Sequence, residues 1–217
     1  DIHYNNLAHG LFLIDEGILQ NAAIGLSGRA VLAGKPAFTL SGKIPQLDFD
    51  QWRDVVERYI RSSDRFVSPA RTGDRLNSYA LQHRYSLTAE RFEGLSLSLS
   101  NLSIKAEQQA QYWQVELEND VVSGVLTVPE ISSQPINLAF DYIRMPERKK
   151  NEPSDQAADL ETTKDPLGDW DLADTLALDI QAKEISLGGD NFGEWSFNIR
   201  PIDNGLEVSA LTAKVKG

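Results

Sequence analysis

The sequence predicts a mainly β chain with one short amphipathic helix, and three observations carry that prediction. Leu95, Leu97 and Leu99 alternate with Ser96, Ser98 and Ser100, and Leu176, Leu178 and Ile180 repeat the same two-residue period with polar partners. Such alternation makes a strand with one apolar and one wetted face. Each run is followed by an aromatic-led strand, Tyr112-Trp113-Gln114-Val115-Glu116-Leu117-Glu118 in the first case and Glu194-Trp195-Ser196-Phe197-Asn198-Ile199-Arg200 in the second, so one β unit is used twice. Glycine and Asn-Gly punctuation between the runs supplies the turns that a meander needs.

The elements follow in chain order. Between Leu7 and Leu40 the apolar residues come in short bursts (Leu11 to Ile14, Ile18, Ile24, Leu26, Val31 and Leu32, Phe38 and Leu40) broken by Gly10, Gly17, Gly25, Gly28 and Gly34. This pattern predicts three or four short antiparallel strands, and the segment from Phe38 to Pro45 ends that sheet. Trp52, Val55, Val56, Tyr59 and Ile60 then fall at i, i+3, i+4, i+7 and i+8, the stripe of a helix over about 50–61. Asp50 is its expected N-cap, with a carboxylate for the free amides of the first turn. Residues 61–78, rich in Arg, Ser, Asp and Gly, read as an exposed connection.

From Tyr79 the strand signal returns. Leu81, His83 and Tyr85 share one parity, followed by Phe92, the Leu/Ser run, Leu102 and Ile104, the Trp113 strand, Val121 to Val128 and Ile136 to Ile143. Pro129 and Pro135 interrupt between strands, where a missing donor is tolerated. The polar stretch 147–171, charged and punctuated by Pro153 and Pro166, reads as a linker between a β segment at 1–146 and a continuing one at 172–217. In the latter, strands are expected at 175–181, 184–187, 194–200 and 206–215, with turns at Gly188-Gly189 and Asn204-Gly205. Four such strands do not stand well alone and should extend the earlier sheet.

Composition narrows the functional classes. A formal net charge of −11 over 217 residues argues against a nucleic-acid partner, because phosphate binding needs clustered Lys and Arg. The absence of cysteine removes disulfides, thiolate metal sites and cysteine nucleophiles together. No stretch reaches the ~20 apolar residues of a membrane span. The chain begins Asp1-Ile2-His3 rather than with a signal sequence, as an excised or mature segment would.

Catalytic constellations are weak. Asp48 and Asp50, and Asp169 and Asp171, stand at i and i+2, but a cap role accounts for Asp50 and neither pair has the spaced ligands of a calcium loop. His3, His9 and His83 have no metal-ligand spacing, and His83 reads as a partly buried strand residue. No nucleophile elbow or phosphate loop is present. The expectation is a chain that is not an enzyme, with no cofactor and no metal. Trp52, Trp113, Trp170 and Trp195 could stack on sugars, although strand and helix packing explains Trp113, Trp195 and Trp52 more simply.

Three stretches carry a resemblance. Gly193-Glu194-Trp195-Ser196-Phe197-Asn198-Ile199-Arg200-Pro201, with Asn204-Gly205-Leu206-Glu207-Val208 and Leu211 to Gly217 after it, resembles the central region of the YhdP family of AsmA-like proteins. Gly42-Lys43-Ile44-Pro45-Gln46-Leu47-Asp48-Phe49-Asp50-Gln51-Trp52 is similar to the pattern that precedes a short helix in that family, and Pro135 to Pro146 to its strand leading into a proline and a variable linker. The resemblance implies an elongated, curved antiparallel sheet forming an apolar groove, of the repeating β-groove or β-taco type. It also implies a large periplasmic protein of Gram-negative bacteria, held in the inner membrane by an anchor outside this segment, which carries phospholipid between the two membranes. Phospholipid acyl chains and neighbouring β segments of the same parent chain would be its partners.

Period-2 strands suit that task. An acyl chain of ~16 carbons costs on the order of 12 kcal/mol in water, at about 0.8 kcal/mol per CH₂, so a conduit must offer apolar surface without a gap. Strand parity selects Leu95, Leu97, Leu99, Val115, Leu117, Leu138, Phe140, Leu176, Leu178, Ile180, Phe197 and Ile199 as candidate groove lining. Alternation alone does not separate an open trough from a closed β-sandwich that binds glycans or proteins, or from an envelope scaffold. Leu97→Asp should block lipid in the first case and unfold the domain in the second.

Overall fold

In the computed structural model the described residues are 2–4, 7–49, 51, 81–94, 97–131, 133–145, 177–202 and 205–215. The chain is mainly β and divides into two units, Asp1–Gln109 and Ala110–Gly217. The first holds β1 (Ile2–Tyr4), β2 (Ala8–Asp15), β3 (Ile18–Leu26), β4 (Ala37–Asp48), β5 (Gln82–Gly94) and β6 (Leu97–Gln108). The second holds β7 (Tyr112–Glu118), β8 (Val122–Pro129), β9 (Ile136–Met145), β10 (Leu178–Leu187), β11 (Asp190–Ile202) and β12 (Gly205–Lys214). Within each unit the strands lie side by side in chain order as one open layer, so neither forms a two-sheet sandwich from its described residues.

The sheets are mixed rather than purely antiparallel. β3 and β4, β4 and β5, and β9 and β10 pair in parallel, while the other pairs described within each unit are antiparallel. Parallel neighbours need a crossover where antiparallel ones need only a turn. The connection at 27–36, between β3 and β4, is therefore a crossover. The sequence expectation that Phe38 to Pro45 ends a sheet is not met, because β4 continues to Asp48 and lies between β3 and β5. The linker at 147–171 itself lies outside the described residues.

Local chemistry explains the turns and ends. Glu16 and Gly17 both have positive φ, 49° and 81°, as do Gly188 and Gly189, 59° and 96°, which is the backbone of two-residue hairpins matched to strand twist. Between β7 and β8 the Asn119 side-chain oxygen accepts from the amides of Val121 (3.0 Å) and Val122 (2.7 Å), an Asx turn. The expected strands at 175–181 and 184–187 are one strand, β10, whose register against β11 shifts between Ala182 and Ile185. Pro45 sits inside β4, beyond Gly42, where pairing with β3 stops, so its missing donor breaks no bond to that neighbour.

The helix expected over about 50–61 falls outside the described residues apart from Gln51. The Asp48 carboxylate accepts from the Gln51 amide (3.2 Å) and from its side-chain nitrogen (2.9 Å). Asp48 precedes Gln51 by three residues, the spacing of an N-cap to the third helical amide, and Asp-x-x-Gln is a capping-box sequence. Asp50 lies outside the described residues.

Candidate functional site

Register carries the sequence alternation from strand to strand and turns it into rows of side chains. In the first unit Gly10, Ile24, Leu40, Tyr85 and Ala106 are successive cross-strand partners, as are Ala8, Leu26, Gly42, Leu87 and Ile104. Phe12, Ala22, Phe38 and His83 form the row on one side of these. On the other side lie Ile44, Ala89 and Leu102, then Leu47, Phe92 and Leu99, and finally Gly94 and Leu97. Partners share a face, so one face of this sheet is apolar from β2 to β6. The opposite face carries His9, Gly25, Ser41, Ser86 and Lys105 in one row and Lys43, Thr88 and Ser103 in another.

The second unit is built the same way. Val115, Leu126, Leu138, Ile180 and Phe197 form one row, and Leu117, Gly124, Phe140, Ala182, Trp195 and Ala213 form the next. Ile136, Leu178, Ile199 and Val208 flank them. The reverse face presents Gln114, Thr127, Asn137, Asp179, Asn198 and Ser209. Arg200 reaches along that face to the Asp179 carboxylate and the Leu178 carbonyl.

Both units hold the apolar face through an irregularity that simple alternation would not survive. Apolar rows step by three residues rather than two from Ile44 to Leu47, from Ala89 to Phe92 and from Leu102 to Leu99, and Asn101, between the last pair, has a φ of 53°. In the second unit the step runs from Phe140 to Ile143 and from Ala182 to Ile185. Aligned bulges of this kind bend adjacent strands together while keeping their apolar residues on one side. Lys183 and Asp141, in the two stepped segments, are joined at 2.6 Å, and Arg144 and Glu184 at 3.3 Å.

Burial among the described residues differs from that of a closed core. Among the described residues the buried apolar side chains are Ala22, Ala23, Ala30, Ala37, Ala89, Ala182, Leu99 and Leu102, and no large side chain falls below 2% exposure. A second sheet packed ~10 Å away would bury the largest side chains first. Here six of the eight buried apolar residues are alanines, beside Leu99 and Leu102, while Leu40, Leu87, Ile104, Leu126, Leu138 and Phe197 are half-buried.

The connection at 27–36 takes the polar side. Asn21, on the reverse face, donates to the carbonyls of Ala33 (2.7 Å) and Lys35 (3.2 Å), and the Ala30 amide donates to His9 Nδ1 (2.9 Å). A Cβ on Gly25 would lie 2.7 Å from the backbone of Arg29 and Ala30. This connection therefore packs against the polar face and leaves the apolar one clear.

Of the sequence-selected lining, Leu99 stands on the apolar face of the first unit, and Leu97 occupies the row beside it. Val115, Leu117, Leu138, Phe140, Leu178, Ile180, Phe197 and Ile199 all fall on the single apolar face of the second. Leu95 and Leu176 lie outside the described residues. Reading by run missed Leu40, Leu87, Leu102, Ile104 and Leu126, although Leu102 and Ile104 share parity and Phe38 and Leu40 show the same period. Trp113 and Trp195 are half-buried strand residues, and the Trp195 indole donates to the Phe192 carbonyl (2.9 Å). Trp52 and Trp170 lie outside the described residues. His83 is half-buried on β5, and burial lowers its pKa from the ordinary value of 6.5.

The family described as YhdP protein matches the chain over residues 1–217, its whole length. The chain belongs to the YhdP family. No curated protein and no solved structure matches it.

Proposed function

We propose that this YhdP-family chain is a segment of a conduit that moves phospholipid across the periplasm between the inner and outer membranes, and that it catalyses no reaction. The observation that carries the reading is the pair of open, one-layer sheets whose apolar faces are continuous within each unit and, among the described residues, hold no large fully buried side chain. A surface of this kind lowers the cost of an acyl chain without offering one tight site, and many similar weak contacts suit transit better than a single deep pocket. Family membership is consistent with that role. The protein would be periplasmic, with its membrane anchor and its neighbouring β segments elsewhere in a longer parent chain.

Native mass spectrometry with lipid extraction from the same sample tests the reading. The wild-type chain should carry phospholipid. Leu138→Asp, placed mid-row among Leu126, Ile180 and Phe197 neighbours, should remain folded by circular dichroism and lose at least about nine-tenths of it, since a carboxylate on an apolar surface costs several kcal/mol against an acyl chain. A lipid-free wild-type chain with strongly protected amides throughout would point instead to a scaffold or binding module.

A further inference from the structure

Ala30 is buried to 5% exposure, although its neighbours Arg29 and Val31 are exposed. Its backbone lies directly on Gly25, where a Cβ would come within 2.7 Å of the Ala30 nitrogen. Gly25 is the register partner of His9, and His9 Nδ1 accepts from the Ala30 amide at 2.9 Å. A backbone N–H can only donate, so this bond requires an unprotonated Nδ1. An imidazolium carries hydrogen on both ring nitrogens. It would turn N–H against N–H and leave a buried amide without that acceptor.

The other anchors of the 27–36 crossover are amides, carbonyls and a hydroxyl, none of which titrates near neutrality. Asn21 holds the carbonyls of Ala33 and Lys35, the Ser27 amide donates to the Leu7 carbonyl (2.9 Å), and the Ser27 hydroxyl donates to the Lys43 carbonyl (3.4 Å). Between these two ends the stretch 28–32 is tied down at Ala30. Gly28 and Gly34 flank it in open surroundings: an added Cβ would meet the Leu26 carbonyl at 3.9 Å in the first case and nothing within 4 Å in the second. Ionisable residues on the elements around His9 are His3, at its register position on β1, and Arg29 and Lys35 on the crossover, while β3 has none. Asp15, on its own strand, stands six residues away, about 20 Å at strand rise. A proton on His9 therefore adds like charge to the segment that it holds.

We propose that His9 is a proton-operated latch: while neutral it holds the crossover on the polar face through the Ala30 amide, and proton uptake releases the stretch 28–32 between its fixed ends. Imidazole is the side chain whose ordinary titration falls between about pH 5 and 8, so modest acidification operates the device. The latch acts on the face opposite the apolar rows and does not depend on the phospholipid reading.

Amide hydrogen exchange in the full chain, expressed as protection against the intrinsic rate at each pH, tests the latch from about pH 7.5 to about 5.5. Ala30 should lose protection about five- to tenfold, the range for one lost hydrogen bond, with the same midpoint as the His9 ring titration followed by NMR. Ala22 and Ile24 on β3 should keep theirs within about twofold. His9→Asn puts a side-chain oxygen near the place of Nδ1 but does not titrate, so its Ala30 protection should stay constant over the range. Unchanged Ala30 protection while the His9 ring titrates would overturn the latch, and so would an equal loss in His9→Asn. A parallel loss at Ala22 and Ile24 would overturn it too, because the event would then be unfolding of the unit. The wild-type comparison of ring titration with amide protection decides the matter even where His9→Asn fails to fold.

Discussion

Gly42 shows how a single residue sets the apolar face. Its φ is 134°, and a Cβ there would collide with the Leu26 carbonyl at the last paired position of β3 and β4. Gly42→Ala should therefore cost at least about 2 kcal/mol, from backbone strain together with displacement of β3. Gly34→Ala, where a Cβ meets nothing within 4 Å, should stay within about 0.5 kcal/mol. Urea midpoints of the two variants compare them directly. His83 gives a second residue-scale expectation, with a defined sign. Burial lowers its folded-state pKa below 6.5, so the unfolded chain takes up the proton first as pH falls. The stability linked to this group is complete above pH 6.5 and is lost as pH falls from there through the folded value. Between pH 7.5 and 5.5 the urea midpoint of the wild type should drop more than that of His83→Phe, and equal drops would show that the imidazole is not desolvated in the fold.

At the scale of elements, the decisive feature is which side of a sheet its connections use. Asn21 ties 27–36 to the polar face through two carbonyls and is itself only 6% exposed. Asn21→Ala leaves those carbonyls without that donor and should cost about 1–3 kcal/mol, with faster hydrogen exchange at the Ala30 amide as its local signature. Strand type and one-sidedness were legible in the sequence because period 2 needs no tertiary information, as β6 through β9 show. The Gly188-Gly189 turn was legible for the same reason: the backbone it requires is written in residue type. Parallel pairing was not, since β4 reads alike whether its neighbours run with it or against it. The three-residue steps escaped as well. Leu99 and Leu102 break parity when taken alone, and only the matching steps at Ile44/Leu47 and Ala89/Phe92 show that the face is kept. The same limit explains the candidate lining. Runs of alternating leucine were selected, while Leu40 and Leu126 became visible only through their cross-strand partners.

At the scale of the whole molecule, a chain that leaves Leu, Ile and Phe half-exposed in one-layer sheets gives up hydrophobic stabilisation that a sandwich of equal length would gain. Part of the offset lies on the reverse faces and sheet ends, where the part-buried Arg200–Asp179 pair and the exposed Arg84–Glu107 and Lys214–Glu194 pairs link neighbouring strands, the exposed ones contributing only about 0–1 kcal/mol each. The larger offset should come from what covers the apolar faces. A ligand that binds the folded chain alone stabilises it by RT ln(1 + [L]/Kd), about 2.7 kcal/mol at a hundredfold excess over Kd. Short-chain phospholipid below its micelle concentration should therefore raise the urea midpoint in a concentration-dependent way. Leu138→Asp should flatten that response, while Lys183→Ala, which removes only the exposed pair with Asp141, should keep it. The contrast separates an apolar surface that lipid covers from a general effect of amphiphile on a β-rich chain. A response equal in all three proteins would assign the stabilisation to solvent and remove the conduit's energetic basis.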